Sequence, residues 1–462
     1  MAELVLEVVH RLLLYFTMKK GEKSYVEKVR SAMMIDANAC AWVMVGIAVL
    51  ILAFPVQAAT TEVHVPEYAL NGATMPIPIT LWGPYITGTM QDSTTINWKT
   101  ENATTGTVKY ATEGYYKEHG DYDHTITDTE RKQLHHLDIT NLTPNTVYHY
   151  QLILGHEYTG DHNFKTYGDD SFTFIVYGDS RAQSPLFTQM ERHKLVADRI
   201  ASEKDVSFVL HTGDFVCSGN DQEEWNRFFE SGRAMLANTT IYPVLGNHED
   251  NHTNYYVTFG VPKWYSFDCG NAHFSVLDSN DGVSQHMTEQ TEWLQNDIAC
   301  DATWKFVSFH HPIYSSDKHH GGGRKNAVWE DIFIDNSVNA AFNGHVHAYE
   351  RYEEKGIQYV VVGCGGAPLY PLAEAKIPGY QNSFEHTLGY VKITIEGANA
   401  TMNVIQVADV SADNKEVTQI YPQNTVFETV VLSSCPAMLT KRYADWIPVI
   451  RGGWNECEKI CF

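Results

Sequence analysis

Basic residues are scarce in this sequence. Against 56 Asp and Glu stand 33 Lys and Arg, a formal charge of −23 over 462 residues. Such a surface repels phosphate backbones and anionic membranes, which argues against a nucleic-acid partner and against a nuclease acting on long polymers. Internal repeats and low-complexity tracts are absent, which excludes a repeat array. The run "AWVMVGIAVLILAFPV" at 41–56 falls short of the roughly 20 residues of a spanning helix. It follows Lys19, Lys20, Lys23, Lys28 and Arg30 and ends in "VQAA", where Val56 and Ala58 suit a signal peptidase. Residues 1–58 therefore read as a leader, either a cleaved export signal or an uncleaved N-terminal anchor, with Met18 an alternative start. The basic flank sends the remainder across the membrane. The expected location is extracellular, cell-surface or periplasmic, with no membrane contact beyond that anchor. Cysteines are few, 8 in all. Cys40 falls in the leader, and the odd number left fixes no disulfide connectivity, though Cys457 and Cys461 can pair with each other or with Cys435. Sequons at Asn102, Asn141, Asn238, Asn251 and Asn399 can carry glycans in a glycosylating host.

What is present is apolar mass, 44% with 12% aromatics, enough for sizeable cores. After a Pro-, Ala- and Thr-rich linker at 59–80, residues 81–166 alternate short β-type runs with turns, as in "STTINWKT" and "GTVKYAT". Trp98 and the run "LTPNTVYHY", with Tyr148 and Tyr150, resemble a fibronectin type III sandwich and its tyrosine corner. From 167 to 408 apolar strands alternate with helical stretches such as "SPLFTQMERHKLVADRIAS" and "QEEWNRFFESGRAM", the signature of an α/β layer. Residues 409–462 form an extension without readable pattern.

Five of the strands in that second region run straight into polar clusters. "FTFIVY" meets "GDSR", "VSFVLHT" meets "GDF", "IYPVL" meets "GNHED", "WKFVSF" meets "HHP", and "NAAFN" meets "GHVH". Glycine lets the backbone turn and approach a ligand closely. The residues beside it are carboxylate, amide or imidazole donors, which suit Zn, Fe or Mn. Two carboxylates, one amide and three imidazoles exceed what one tetrahedral ion needs and suit two ions sharing a bridge. If the backbone stays extended, His345 and His347 face the same side and reach one metal or one each.

The order GD…GD…GNHE…H…GHxH resembles that of the calcineurin-like metallophosphoesterases. With "GHVHAYER", the β-domain before it and the leader, roughly residues 80–405 look most like a purple acid phosphatase. The resemblance implies an α/β fold, a four-layer αββα sandwich behind the fibronectin-like domain. It implies that Asp179 and His347 hold a first metal, that Asn247, His310 and His345 hold a second, and that Asp214 bridges them. It also implies that His319 and His320, in "HHPIYSSDKHH", face the substrate and that His248 lies near the phosphate.

There are two departures. Cys217 stands where the family has a tyrosine ligand, so no phenolate-to-iron charge transfer and no purple colour are expected, and Cys217 stays outside the metal set. Arg181 stands where glycine is commoner, to grip a phosphate oxygen or to pair with Asp214 or Glu249. The implied activity is hydrolysis of small phosphate monoesters by metal-activated hydroxide. His248, His319 or His320 would protonate the leaving group, and His248 and Arg181 would steady the equatorial oxygens. The alternatives are a phosphodiesterase for nucleotides or other small diesters, and a non-catalytic cell-surface binding protein on the same fold. A β-lactamase-like hydrolase is disfavoured because no H-x-H-x-D-H cluster occurs.

Overall fold

The computed structural model describes residues 79–280, 285–320, 322–324 and 327–434. The leader, linker residues 59–78, and Cys435, Cys457 and Cys461 lie outside the described residues. No described helix is long and apolar enough to cross a membrane.

The N-terminal β-region holds β1 (Trp82–Thr87), β2 (Ser93–Thr112), β3 (His124–Thr140), β4 (Val147–Leu154), β5 (Glu157–Tyr158) and β6 (His162–Lys165). Side chains of a strand alternate between faces. In β4 that buries Tyr148, Tyr150, Leu152 and Leu154, which join the cluster of Ile96, Trp98 and Val108. The Tyr148 hydroxyl accepts the Thr143 N–H at 2.8 Å, the corner bond read from the sequence.

The strands that follow are β7 (Ser171–Tyr177), β8 (Val206–His211), β9 (Thr240–Pro243), β10 (Tyr265–Cys269), β11 (Ala272–Val276) and β12 (Trp304–Ser308). After the short β13 (Tyr314–Ser315) and β14 (Gly323–Arg324) come β15 (Ala340–Asn343), β16 (Tyr349–Glu354), β17 (Ile357–Val362) and β18 (Tyr380–Phe384). The last are β19 (Thr387–Glu396), β20 (Asn399–Val410), β21 (Val417–Ile420) and β22 (Val426–Leu432). A 13-stranded sheet runs β21-β20-β19-β7-β8-β9-β1-β2-β4-β5, with β22, β3 and β6 branching from it. A 7-stranded sheet runs β10-β11-β12-β15-β17-β16-β18. Strands β7, β8 and β9 are parallel, as are β11, β12, β15 and β17.

The same alternation makes two cores. Phe174 of β7 meets Phe274 at 5.1 Å and Phe306 at 5.4 Å, which joins the sheets face to face. Val307 and Ala341 point the other way, onto Leu294, Ile298 and Phe333. The helices are α1 (Glu113–His119), α2 (His193–Ala201), α3 (Gln222–Ser231), α4 (Arg233–Leu236), α5 (Thr253–Phe259), α6 (Gln285–Asp297) and α7 (Glu330–Asp335). Together the sheets and helices give a mixed α/β architecture.

Three features differ from the reading of the sequence. β1 pairs with β9 through Ile86 and Thr240, so the β-region continues the larger sheet. The contact is buried: Trp82 stacks on Phe229 at 4.6 Å, and the Tyr85 hydroxyl donates to the Thr258 carbonyl at 2.7 Å. The helix expected over 184–202 begins only at His193, because the chain before it closes into turns, with Gln183 N–H bonded to the Phe187 carbonyl at 3.2 Å and Phe187 N–H to the Gln183 carbonyl at 3.1 Å. Residue 408 falls inside β20, and β21 and β22 extend the large sheet to Leu432.

Candidate metal centre

Parallel strands that end side by side bring the loops after them into one crevice. Asp179 follows β7, Asp214 follows β8, Asn247 follows β9, His310 follows β12, and His345 and His347 follow β15. The chain turns at once: φ is 57° at Asp179, 57° at Asp214 and 67° at His345. Side-chain-bearing residues rarely hold that left-handed conformation, and where they do a functional site is often near. The glycines allow the approach. A Cβ on Gly246 would lie 2.3 Å from Asp214 Oδ1, and one on Gly344 would lie 2.4 Å from Asp179 Oδ2.

The structure gathers all six side chains. Asn247 Oδ1 lies 3.0 Å from His310 Nε2 and 3.0 Å from His345 Nδ1. His310 Nε2 lies 3.3 Å from Asp214 Oδ1, and His347 Nε2 lies 3.3 Å from Asp179 Oδ1. Both rings are fixed from behind. His310 Nδ1 bonds the Thr212 carbonyl at 2.8 Å and His347 Nδ1 the Pro368 carbonyl at 2.5 Å, which turns each Nε2 into the crevice. With His345 left-handed, the backbone around it is not extended. Its N–H goes to Asp179 at 2.9 Å while its ring faces Asn247, so the two histidines of "GHVH" serve different neighbours.

Burial disfavours charge on Asp214, but His310 beside it holds the carboxyl well below the usual range. Burial likewise opposes a charge on His310, yet Asp214 and then Asp179 raise it to about 10. His345 is driven the other way by burial and by His310, His311 and His320. Burial and His310 push His311 down to about 3. The surroundings thus favour charge on the Asp214–His310 pair and disfavour it on His311 and His345.

The remaining candidates surround this group. His248 Nδ1 bonds the Cys217 carbonyl at 2.8 Å, and its Nε2 lies 3.9 Å from Asp214 Oδ2. The His320 ring is 4.2 Å from that of His345, and the Tyr370 ring stacks against His319 at 4.5 Å and His347 at 4.1 Å. Arg181 pairs with neither Asp214 nor Glu249. Its Nη1 donates to Gln183 Oε1 at 3.2 Å, and its buried Nε has no partner among the described residues. Glu249 is engaged elsewhere, accepting the N–H groups of Asp214, Phe215, Val216 and Gly246. Cys217 lies beside Arg181, which pulls against the rise that burial imposes on the thiol.

The sequence reading overlooked the loop after β17, "GCGGAPLYP". It wraps the centre: Ala367 N–H donates to the Asp179 carbonyl at 2.7 Å and Tyr370 N–H to the His347 carbonyl at 3.0 Å. A sixth strand running into glycines was the signal, hidden because no ligand-type side chain follows them. Asp317 was also missed. Its buried carboxylate accepts the N–H groups of His319 and His320 and meets His320 Nδ1 at 2.8 Å.

Residues 172–349 match the calcineurin-like phosphoesterase family, and residues 83–166 match the purple acid phosphatase N-terminal domain. The chain therefore carries a purple acid phosphatase N-terminal domain followed by a calcineurin-like phosphoesterase domain. Purple acid phosphatase 21 of Arabidopsis thaliana is 31% identical to this chain over 301 residues, covering 55% of it and 64% of the relative. The purple acid phosphatase of Glycine max is 28% identical, over 51% of this chain and 56% of the relative. The chain thus spans somewhat more than half the length of these relatives. Among solved structures, the yellow lupin (Lupinus luteus) enzyme PPD1 superimposes with a TM-score of 0.59 at 17% identity, covering 77% of this chain and 75% of its own. PhoD gives 0.60 at 15% identity, over 78% and 91%. At those identities the likeness is one of fold.

Proposed function

We propose that this chain hydrolyses small phosphate monoesters at a two-cation centre. The observation that carries the reading is the convergence of imidazole nitrogens from the small sheet on Asn247 Oδ1 and Asp214 from the large sheet, at 3.0–3.3 Å. Donor atoms of Asp179, Asp214 and His310 all lie within 4.8 Å of one another. Buried carboxylate, amide and imidazole donors without thiolate fit Zn, Fe or Mn. Asp179 and His347 would hold one cation, Asn247, His310 and His345 the other, with Asp214 between them. Such a pair supplies Lewis acidity and lowers the pKa of water.

The chain's own residues do the rest. His248, with Nδ1 tied to a carbonyl, presents Nε2 beside Asp214, where a phosphoryl oxygen would lie. Asp317 holds His320 by Nδ1 for proton transfer to the departing alcohol. Arg181 offers a buried N–H donor to a phosphate oxygen. The acidic exterior repels a small phosphate monoester far less than a long polyanion, and the leader supports export.

The test is Asp214→Asn, assayed on an aryl phosphate and an aryl diester with elemental analysis beside it. Loss of turnover together with metal content is the expected result. Unchanged hydrolysis would refute the centre. A faster wild-type rate on the diester would move the substrate to that class, and a metal-loaded wild type inert on both would leave a binding protein.

A further inference from the structure

His310 and His311 are neighbours at the end of β12, and adjacent residues of an extended strand point to opposite faces. Here both rings turn into the same crevice. Their centres are 5.0 Å apart, and the His311 ring is 4.4 Å from that of His345. The donor atoms of His310, His311 and His345 all lie within 4.8 Å of one another. Ser279 fixes His311 twice: Ser279 Oγ accepts its backbone N–H at 3.0 Å and lies 2.9 Å from ring Nδ1. With Nδ1 engaged, Nε2 is the nitrogen left for the crevice. Imidazoles that bind metal are ordinarily held in this way, one nitrogen fixed from behind and the other presented to the ion.

We propose that His311 is a further metal donor, joining Asn247, His310 and His345 around one cation. The proposal rests on the two-cation reading above and deepens it, because it makes the two positions unequal. One gathers three imidazoles and an amide beside Asp214; the other has Asp179, His347 and Asp214. The nitrogen-rich position then favours zinc or cobalt, while the carboxylate-rich one accepts manganese more readily.

The test strips the full-length chain of metal with a chelator. It then titrates the chain with Co²⁺ against a chromophoric competitor, following the visible cobalt bands. Wild type is expected to take two cations per chain. His311→Ala is expected to weaken one of them by about tenfold or more and to change its band intensity, leaving the other untouched. Ser279→Ala keeps the ring and removes only its restraint; it carries the test if His311→Ala does not fold, with a smaller shift in the same direction. Two unchanged affinities and an unchanged spectrum in both variants overturn the role of His311. A wild-type chain that takes fewer than two cations overturns the underlying centre, a result visible before any variant is made.

Discussion

The two sheets bring different chemistry to one crevice. Strands β7, β8 and β9 of the large sheet deliver only oxygen donors, Asp179, Asp214 and Asn247. Strands β12 and β15 of the small sheet deliver only nitrogen donors, His310, His345 and His347. The oxygen set alone would be unfavourable, because two buried carboxylates repel, and the imidazole set supplies the compensating charge. Brought together they compensate, with His310 holding Asp214 ionised. The centre is therefore a property of the packing between sheets, and the phenylalanines that hold them apart set its dimensions.

Removing one member of the oxygen set should have the largest effect. Asp214→Asn, the variant already described, is expected to lower kcat on an aryl phosphate on the order of a thousandfold. His310→Ala removes the partner from the opposite sheet and should lose a similar amount. If the two sets act as one unit, the double variant loses little more than either single one, and steady-state kinetics on the three proteins decides the matter.

The comparison can be broken at a distance from the crevice. Phe174 is fully buried and touches Phe274, Phe306 and Phe342 of the facing sheet. Phe174→Ala should cost about 4 kcal/mol in urea unfolding, by lost burial and a residual cavity. It should also loosen metal binding, although no ligand has changed. Full affinity in a destabilised variant would show that loop geometry alone fixes the centre.

A smaller effect is expected at Asp317. Asp317→Asn keeps the turn and replaces the charged acceptor behind His320. The expected loss is about tenfold in kcat on substrates with poor leaving groups and little on activated aryl phosphates, since only the former need a well-placed proton donor. An equal loss on both would make Asp317 a purely structural anchor.

Much of this was legible in the sequence because it is local. A strand that ends in Gly-Asp or Gly-His shows its donor within two residues, and the five junctions led directly to the side chains that gather. What escaped depends on distant chain segments. Glu249 could be placed near Asp214 from its motif, but that it caps four backbone N–H groups follows only from the fold. Glu350 and Arg351, within the quoted "GHVHAYER", prove to be braces. Glu350 accepts from Ser315 and Ser316 beneath the Asp317 turn, and Arg351 pairs with Glu428 at 3.0 Å. The register of β1 on β9, which merges the β-region with the large sheet, rests on one pair of residues that no periodicity announces.

The smallest expected effect sharpens the contrast within the imidazole-bearing sheet itself. His273 on β11 has a carboxylate at each nitrogen, Asp268 at 2.7 Å from Nδ1 and Asp297 at 3.0 Å from Nε2. Burial opposes its protonation, but Asp297 and Asp268 outweigh that and raise it above its ordinary 6.5. Asp297, in spite of burial, is lowered from its ordinary 3.8 by His273, Ser266 and Ser275. The stabilisation from His273 is fully present below 6.5 and lost as pH rises through its higher folded value. That from Asp297 is present above 3.8 and lost as pH falls through its lower one. Asp297→Asn should therefore cost about 1 kcal/mol between those limits and less in alkali, read as a gap in Tm that narrows as pH rises. A gap constant from about pH 5 to about pH 9 would mean that His273 is already neutral in the fold. His273 would then resemble His311 and His345 rather than His310, in spite of the carboxylate at each of its nitrogens.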